Sequence, residues 1–163
     1  MTKIEYVLQE TPFIVRRRVK WGDCDPAGVV YTVMFAEYVI SAADLFYGRL
    51  LGGTPQRIKD SQGFGTPTRA LTFDFRASVW PDDDLDVRVT VEDVRDRTYS
   101  LCFEGSVQEK VVFESKLTPI CVARGERRAI SIPDVLRTAL LSYRQDCCQG
   151  NLTSSPRRKG VQP

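Results

Sequence analysis

The sequence contains no histidine, and this absence narrows the possible chemistry more than any other feature. Without histidine there is no Ser-His-Asp or Cys-His catalytic arrangement, no histidine-ligated metal, and no use of the commonest general base. Acid–base chemistry near neutral pH must therefore come from a carboxylate, a lysine, a tyrosine, a cysteine or an activated water.

Paired cysteines are also missing. The five cysteines are odd in number and include no CxxC spacing; they are Cys24, Cys102, Cys121, Cys147 and Cys148. Disulfide frameworks and structural zinc sites normally need such pairs, so we expect free thiols and no metal. The acidic run Pro81-Asp82-Asp83-Asp84 is typical of a turn, because no further ligands accompany it.

The sequence has no long apolar run and little net charge. Crossing a bilayer takes roughly 20 apolar residues, and no segment approaches that length. Residues 1–9 are too polar for a secretory signal, so we expect a cytoplasmic protein without membrane association. The net charge is +2, from 23 basic and 21 acidic residues, and therefore predicts no nucleic-acid partner. Strand alternation would split the local cluster Arg16-Arg17-Arg18 between two faces.

The length and composition are those of one ordinary domain. The chain has 163 residues, of which 42% are hydrophobic, and this is enough for a sizeable core. We expect a single domain over residues 1–148. Residues 149–163 are polar and basic and contain glycine and proline, which predicts a disordered tail.

The most informative segment is a turn with two carboxylates, Gly22-Asp23-Cys24-Asp25-Pro26-Ala27-Gly28-Val29-Val30. Alternating hydrophobicity predicts a strand over 13–21 immediately before it. Pro26 favours an extended backbone at Asp25, and Gly28 permits a sharp turn. A carboxylate held in this way is a candidate for chemistry, although Asp25 can also be a simple turn or helix-capping residue.

The segments after the turn predict the fold. Apolar residues surround a helix predicted over 33–51, which is therefore buried on nearly all sides and ends at Gly52-Gly53. Its polar residues form a narrow stripe: Glu37, Ser41, Asp44 and Gly48. A period of two predicts four consecutive strands from Thr68 onward, with an edge or bulge at Pro119, and a last helix begins near Pro133. The order predicts an α+β fold in which a meandering antiparallel sheet wraps around one long helix, whose uncovered apolar surface a second copy would cover.

These residues resemble the hotdog-fold thioesterases, specifically the 4-hydroxybenzoyl-CoA thioesterase-like family. The resemblance rests on the segment from Trp21 to Tyr31, with Gly65-Thr66-Pro67 and Arg127-Arg128-Ala129-Ile130 in support. It covers about 13–143 and implies an enzyme that hydrolyses an acyl-CoA thioester. Asp25 would be the catalytic carboxylate, either as a nucleophile that forms a mixed anhydride or as a general base for water.

The resemblance also implies how the substrate binds. Backbone N–H groups around Tyr31 and Thr32 would face the developing oxyanion, and we assign this role to the Thr32 N–H. The implied substrate-binding residues are Tyr31, Gly65, Thr66, Arg97, Arg127 and Arg128. The three arginines stand where cationic side chains meet the phosphates of coenzyme A. We expect a homodimer or homotetramer, and no cofactor beyond the coenzyme A of the substrate.

The chain departs from this family at two positions. Thr32 stands where many relatives have histidine or tyrosine, and Ile40 where they have a carboxylate. Loss of that carboxylate favours an apolar aryl group or a short to medium aliphatic acyl group over a 4-hydroxylated one. The polar stripe of the helix either lines the acyl pocket or faces a partner subunit. Asp23 is interpreted as structural, and Cys24 as inactive because two flanking carboxylates raise its pKa.

The same fold serves two other functions. Some hotdog domains bind acyl-CoA or acyl-carrier proteins without catalysis, so a binding module is the alternative function. A hotdog hydratase would normally need a histidine together with a carboxylate, and this chain has no histidine.

Overall fold

A six-stranded antiparallel sheet and two long helices, of 20 and 19 residues, form the body of the molecule. The computed structural model of the protein describes residues 3–152. The strands are β1 (Glu5–Glu10), β2 (Phe13–Arg18), β3 (Phe64–Gly65), β4 (Thr68–Phe75), β5 (Asp84–Val94), β6 (Tyr99–Val107), β7 (Lys110–Pro119) and β8 (Val122–Ala123). The helices are α1 (Thr32–Leu51), α2 (Pro55–Ser61) and α3 (Asp134–Leu152), with a short 3-10 helix at Trp21–Asp23. The predicted α+β class is confirmed.

The order of strands in the sheet differs from a simple meander. The six strands lie in the order β1-β2-β5-β6-β7-β4, and β3 pairs with β8 in a separate small sheet. Only β5, β6 and β7 form a meander. Strand β4 crosses to the far edge and pairs with β7 rather than with β5. One long side of β4 is therefore an open sheet edge in the protomer.

Helix α1 buries one broad face against the sheet and leaves a narrower one exposed. The buried residues of α1 are Phe35, Tyr38, Val39, Ala42, Ala43, Phe46 and Tyr47. Gly52 ends the helix with a φ of 70°, and its N–H donates to the Gly48 carbonyl at 3.0 Å. The exposed strip consists of Thr32, Val33, Glu37, Ile40 and Asp44.

The predicted polar stripe of α1 needs a correction. Ser41 does not belong to the exposed strip, because its hydroxyl donates to Glu5 at 2.6 Å. Ile40 does belong to it and is 44% exposed. The helix is thus buried on fewer sides than its composition predicted.

The ends of other strands and helices also differ from the predicted ones. The strand predicted over 13–21 ends at Arg18, because Asp23 accepts a hydrogen bond from the Lys20 N–H and closes a 3-10 turn. The break predicted at Pro119 is where β7 ends. Helix α3 begins at Asp134 as predicted, but it continues to Leu152 and so includes the first residues assigned to the tail. The remainder of the predicted tail, 153–163, lies outside the described residues.

No helix within residues 3–152 combines the length and the apolar character needed to span a bilayer.

Candidate active site

Backbone hydrogen bonds hold the turn that presents Asp25. The Asp25 N–H donates to the Val29 carbonyl at 2.9 Å, and the Gly28 N–H donates to the Asp25 carbonyl at 2.9 Å. Gly28 has a φ of 83°, which glycine adopts without the strain that a side chain would bring. The Ala27 N–H donates to Asp25 Oδ1 at 2.8 Å. One carboxylate oxygen is therefore held by the turn, and Oδ2 has no hydrogen-bond partner among the described residues.

Asp23 is the buried acid of the turn and is only 3% exposed. Its Oδ2 accepts hydrogen bonds from the Tyr38 hydroxyl at 2.8 Å and from the Lys20 N–H at 3.2 Å. The guanidinium of Arg17 lies over the Tyr38 ring, 4.5 Å from the ring centroid. The Asp23 carbonyl accepts the Tyr31 N–H at 2.9 Å. Asp23 thus ties the turn to the first residues of α1, which agrees with the structural role we assigned to it.

Helix α1 begins directly after the turn, and no side chain caps it. The N–H of the N-cap residue Tyr31 is occupied by the Asp23 carbonyl. The N–H of Thr32 has no acceptor in the part of the chain that the structure describes. Unpaired N–H groups in a first helical turn carry the positive end of the helix dipole and favour an anion. Of the two N–H groups considered for the oxyanion, that of Thr32 is available and that of Tyr31 is not.

Asp25 lines a surface cavity of about 360 Å³ beside the turn. The lining residues are Trp21, Gly22, Cys24, Asp25, Pro26, Gly28 and Pro81. Burial, together with Asp23 and Asp25, raises the pKa of the Cys24 thiol. A thiol with a raised pKa is protonated near neutral pH and is a poor nucleophile. The cavity therefore offers a ligand a carboxylate, not a thiolate.

Tyr31 lies apart from two other predicted substrate-binding residues, Gly65 and Thr66. Tyr31 is exposed at the start of α1. Gly65 lies in β3, where a β-carbon added to it would stand 3.6 Å from the side chain of Val122. Thr66 follows β3 and lines a different cavity from the one that contains Asp25. Within one protomer the structure therefore does not bring Gly65 and Thr66 into the Asp25 cavity.

The three predicted arginines lie in two loops that both adjoin residues 121–123. The Cys121 N–H donates to the Arg97 carbonyl and the Ala123 N–H donates to the Arg128 carbonyl, each at 2.8 Å. Arg127 precedes Arg128 and has a φ of 53°. All three side chains are exposed, and Arg97 and Arg128 each pair with an acidic neighbour, at 3.3 and 3.2 Å. Their contact with phosphates stays a prediction.

A second cavity lies along α1, and no sequence pattern indicated it. It measures about 180 Å³ and is called the Lys59 cavity below; its lining residues are Ile40, Ala43, Asp44, Tyr47, Lys59, Thr66, Thr68, Leu117 and Pro119. Lys59 stands on α2, a helix that hydrophobic periodicity did not reveal. The sequence does carry a signal for the start of α2, which is Thr54-Pro55. Proline is favoured at the first position of a helix, and Pro55 occupies that position.

An antiparallel sheet around a long helix, with an acidic turn at the start of that helix, defines a hotdog-fold protein. A family model described as the thioesterase-like superfamily matches residues 19–140 of the 163-residue chain. The chain belongs to this family, and the predicted family and fold class are both confirmed.

Individual relatives agree with this assignment. The acyl-CoA thioesterase YbgC of Haemophilus influenzae is 27% identical over 124 residues, which are 75% of this chain and 89% of that protein. A solved 1,4-dihydroxy-2-naphthoyl-CoA thioesterase from Synechocystis is 25% identical, with a TM-score of 0.72 over 79% of this chain and 95% of that one. The 4-hydroxybenzoyl-CoA thioesterase from Pseudomonas sp. strain CBS-3 is 23% identical, with a TM-score of 0.68 over 82% and 97% of the two chains. The last likeness supports the fold alone.

Proposed function

We propose that the protein hydrolyses acyl-CoA thioesters to a free acid and coenzyme A, with Asp25 as the catalytic carboxylate. The observation that carries this proposal is the position of Asp25, which lines a cavity directly before an uncapped helix whose Thr32 N–H is unpaired. The family and the similarity to the YbgC thioesterase support the reaction type.

The geometry suits the charge that develops during hydrolysis. In one route a carboxylate oxygen of Asp25 bonds to the acyl carbon, the coenzyme A thiolate leaves, and water then hydrolyses the mixed anhydride. In the other route Asp25 takes a proton from water as the water oxygen bonds to the same carbon, and the coenzyme A thiolate then leaves and takes up a proton. Both routes pass through a tetrahedral oxyanion, which the Thr32 N–H stabilises by hydrogen bonding. One such donor is worth about 10²–10³-fold in rate in well-studied enzymes.

We assign the nucleotide end of coenzyme A to the exposed arginines Arg97, Arg127 and Arg128. Arginine binds phosphate oxygens with a planar fork of N–H donors, and these three side chains belong to neighbouring loops. Tyr31 lies next to the proposed oxyanion site and contributes to the thioester end. The proposed acyl group is an aryl group or a short to medium aliphatic chain.

We also propose a homodimer as the smallest working assembly. Val33 and Ile40 on α1 are 61% and 44% exposed, and Phe75 is exposed on the open edge strand β4. Exposed apolar side chains next to an unpaired strand edge form a surface that a second copy can cover. A tetramer would add a further interface. The cytoplasmic location stays a prediction.

A panel of acyl-CoA thioesters tests the proposed activity. Benzoyl-, 4-hydroxybenzoyl-, butyryl- and octanoyl-CoA are incubated with the protein, and released coenzyme A is measured with a thiol reagent. A blank without substrate is subtracted because the protein has five cysteines of its own. We expect turnover of at least one member. Binding of acyl-CoA by calorimetry without turnover of any member would instead support the non-catalytic binding module.

A further inference from the structure

Lys59 carries a positive charge in the wall of the Lys59 cavity without a paired carboxylate. Its Nζ donates to Thr66 Oγ1 at 2.8 Å and lies 3.9 Å from the centroid of the Tyr47 ring. Across residues 3–152 it forms no ion pair with a carboxylate. An ammonium group has three N–H donors, and the Thr66 hydroxyl accepts only one of them. The remaining donors are available to a ligand.

The surroundings make this charge costly in the absence of a ligand. Burial lowers the pKa of the Lys59 amine, and Asp44 and Cys121 only oppose this shift. Asp44 lines the same cavity, but the two side chains form no ion pair in the described part of the chain. A partly buried charge without a paired counter-ion is stabilised when an anion approaches it. Lys59 therefore favours an anionic group in this cavity, and the opposing charge of Asp44 is exposed to water, which screens it.

Apart from Asp44, which is exposed to solvent, the titratable groups near Lys59 are neutral. The hydroxyls of Tyr47 and Tyr99 are hydrogen-bonded to each other inside the core. Burial raises the pKa of Tyr47 to about 12, and burial also raises the pKa of Cys121 to about 11. These groups carry no negative charge near neutral pH, so they do not replace a ligand as the partner of Lys59.

The size of the cavity selects the kind of group that carries the anion. Its volume of about 180 Å³ is close to the roughly 150 Å³ of an apolar cavity that holds a benzene ring. Apolar wall atoms come from Ile40, Ala43, Leu117 and Pro119. This space suits an aromatic ring or the end of an aliphatic chain and is too small for a nucleotide.

The cavity is reached along the exposed strip of α1. Ile40, in the cavity wall, lies about 12 Å from Thr32 along the helix axis, at about 1.5 Å per residue. Val33 and Glu37 of the exposed strip lie between them. Within one chain, an acyl group held at Thr32 must span about 12 Å along this strip to reach the cavity, which only a longer aliphatic chain does. A shorter acyl group reaches the cavity when it is held by a second copy that covers the strip, and it then enters from across the interface.

We propose that the Lys59 cavity binds the distal end of the acyl group and selects acyl groups that end in a carboxylate. This inference rests on the proposed thioesterase activity and names its substrate class. Ile40 alone favours an apolar acyl group. Lys59 changes this expectation, because it adds to the apolar wall at Ile40 a cation that binds a hydrogen-bond acceptor on the acyl group.

Matched pairs of substrates test the proposal. The two pairs are 4-carboxybenzoyl-CoA with 4-methylbenzoyl-CoA and suberoyl-CoA with octanoyl-CoA, so that both a short and a long acyl group are covered. The measured quantity is the selectivity, defined as kcat/KM for the carboxylate-bearing member divided by kcat/KM for its uncharged partner. The selectivity is compared among wild type, Lys59→Met and Lys59→Arg, of which the last keeps the charge. The control is Lys110→Met, which changes an exposed lysine at the start of β7. Thermal unfolding verifies that each variant is folded.

We expect the selectivity of Lys59→Met to fall by about 10- to 100-fold for at least one pair, the range expected for a charge-assisted hydrogen bond. Lys59→Arg should retain part of it, and Lys110→Met should match wild type. Unchanged selectivity in Lys59→Met for both pairs would overturn the proposal.

Two further measurements separate the possible errors. N-acetylcysteamine thioesters of the same acyl groups lack phosphates; a fall in selectivity or rate seen only with the coenzyme A esters would show that Lys59 binds a phosphate and would overturn the proposal. Non-hydrolysable thioether analogues give the same comparison as binding affinities. If no thioester is hydrolysed, the proposed function fails, while the thioether affinities still decide whether Lys59 selects a carboxylate.

Discussion

At the scale of single residues, the two acids of the turn have different environments. Asp25 lines an open cavity, whereas Asp23 is buried and accepts hydrogen bonds from the Tyr38 hydroxyl and the Lys20 N–H. A buried carboxylate is costly unless its oxygens are hydrogen-bonded. Tyr38 therefore stabilises the turn through its hydrogen bond to Asp23. In this way it helps to hold Asp25 at the start of α1.

Replacement of Tyr38 by phenylalanine tests this support. Tyr38→Phe removes one donor to the buried Asp23 and should reduce the free energy of unfolding by about 1–3 kcal/mol. Urea unfolding measures the change. The matched control is Tyr6→Phe at an exposed position on β1, where a change within about 0.5 kcal/mol is expected. An equal decrease in the free energy of unfolding of the two variants would show that the hydrogen bond from Tyr38 to Asp23 does not stabilise the fold.

Sequence reasoning located Asp25 but not its surroundings. Pro26 and Gly28 are local signals, and they predicted the turn because their backbone preferences act over one or two residues. Tyr38 and Lys59 act across the fold, and no local pattern reveals that a tyrosine in α1 meets Asp23 or that a lysine in α2 lines a cavity with Ile40. The available N–H at Thr32 was likewise predicted only through the resemblance to a family.

At the scale of elements, β6 and β7 show how one glycine permits a close contact. Gly105 lies opposite Phe113 in the sheet, and a β-carbon added to Gly105 would stand 2.1 Å from a ring atom of Phe113. Phe113 is fully buried and packs against Phe35 of α1, with ring centroids 5.3 Å apart. The absence of a side chain at Gly105 therefore allows the sheet to pack closely beneath the central helix.

A single methyl group at this position tests the packing. Gly105→Ala should lower the free energy of unfolding by about 1–3 kcal/mol, the usual cost of overpacking a core. Gly22→Ala is the control, because a β-carbon there meets nothing within 4 Å. Chemical denaturation of both variants gives the comparison. A Gly105→Ala variant as stable as the Gly22 variant would mean that Phe113 moves aside without cost.

The elements that were predicted are those with a strong period. Helix α1 and strands β5 to β7 carry apolar residues on a repeating face, and they were found within a few residues of their observed ends. Strand β1 was missed because it is an edge strand with exposed Tyr6 and Leu8 and therefore has little alternation between buried and exposed positions. The pairing of β4 with β7 joins strands that are far apart in the sequence. Strand periodicity identifies each strand but does not indicate its partner in the sheet.

At the scale of the whole molecule, the open edge and the exposed strip of α1 lie next to the proposed site. The same strip leads from Thr32 to the Lys59 cavity. A second copy that covers it would exclude water from both places, and low polarity strengthens the electrostatic interactions of a catalytic carboxylate and an ammonium group. Assembly and activity are therefore expected to be linked.

The mass in solution tests this expectation. Light scattering should give at least twice the 18.4 kDa of one chain. Ile40→Asp introduces a charge into the exposed strip and should shift the mass toward one chain. Leu8→Asp on β1 is the control, since Leu8 is 42% exposed and Ile40 is 44% exposed. A wild-type protein of 18.4 kDa at micromolar concentration would contradict the proposed dimer.

The proposed acyl-CoA hydrolysis depends on Asp25, so replacement of this residue is the decisive experiment. The kcat/KM of wild type and of Asp25→Asn is measured with the best thioester of the panel, with Asp146→Asn on the exposed surface of α3 as the control for a lost carboxylate. We predict a fall of about 10²–10⁴-fold for Asp25→Asn, the range for a lost general base or more, and no change for Asp146→Asn. Equal activity of Asp25→Asn and wild type would contradict the account.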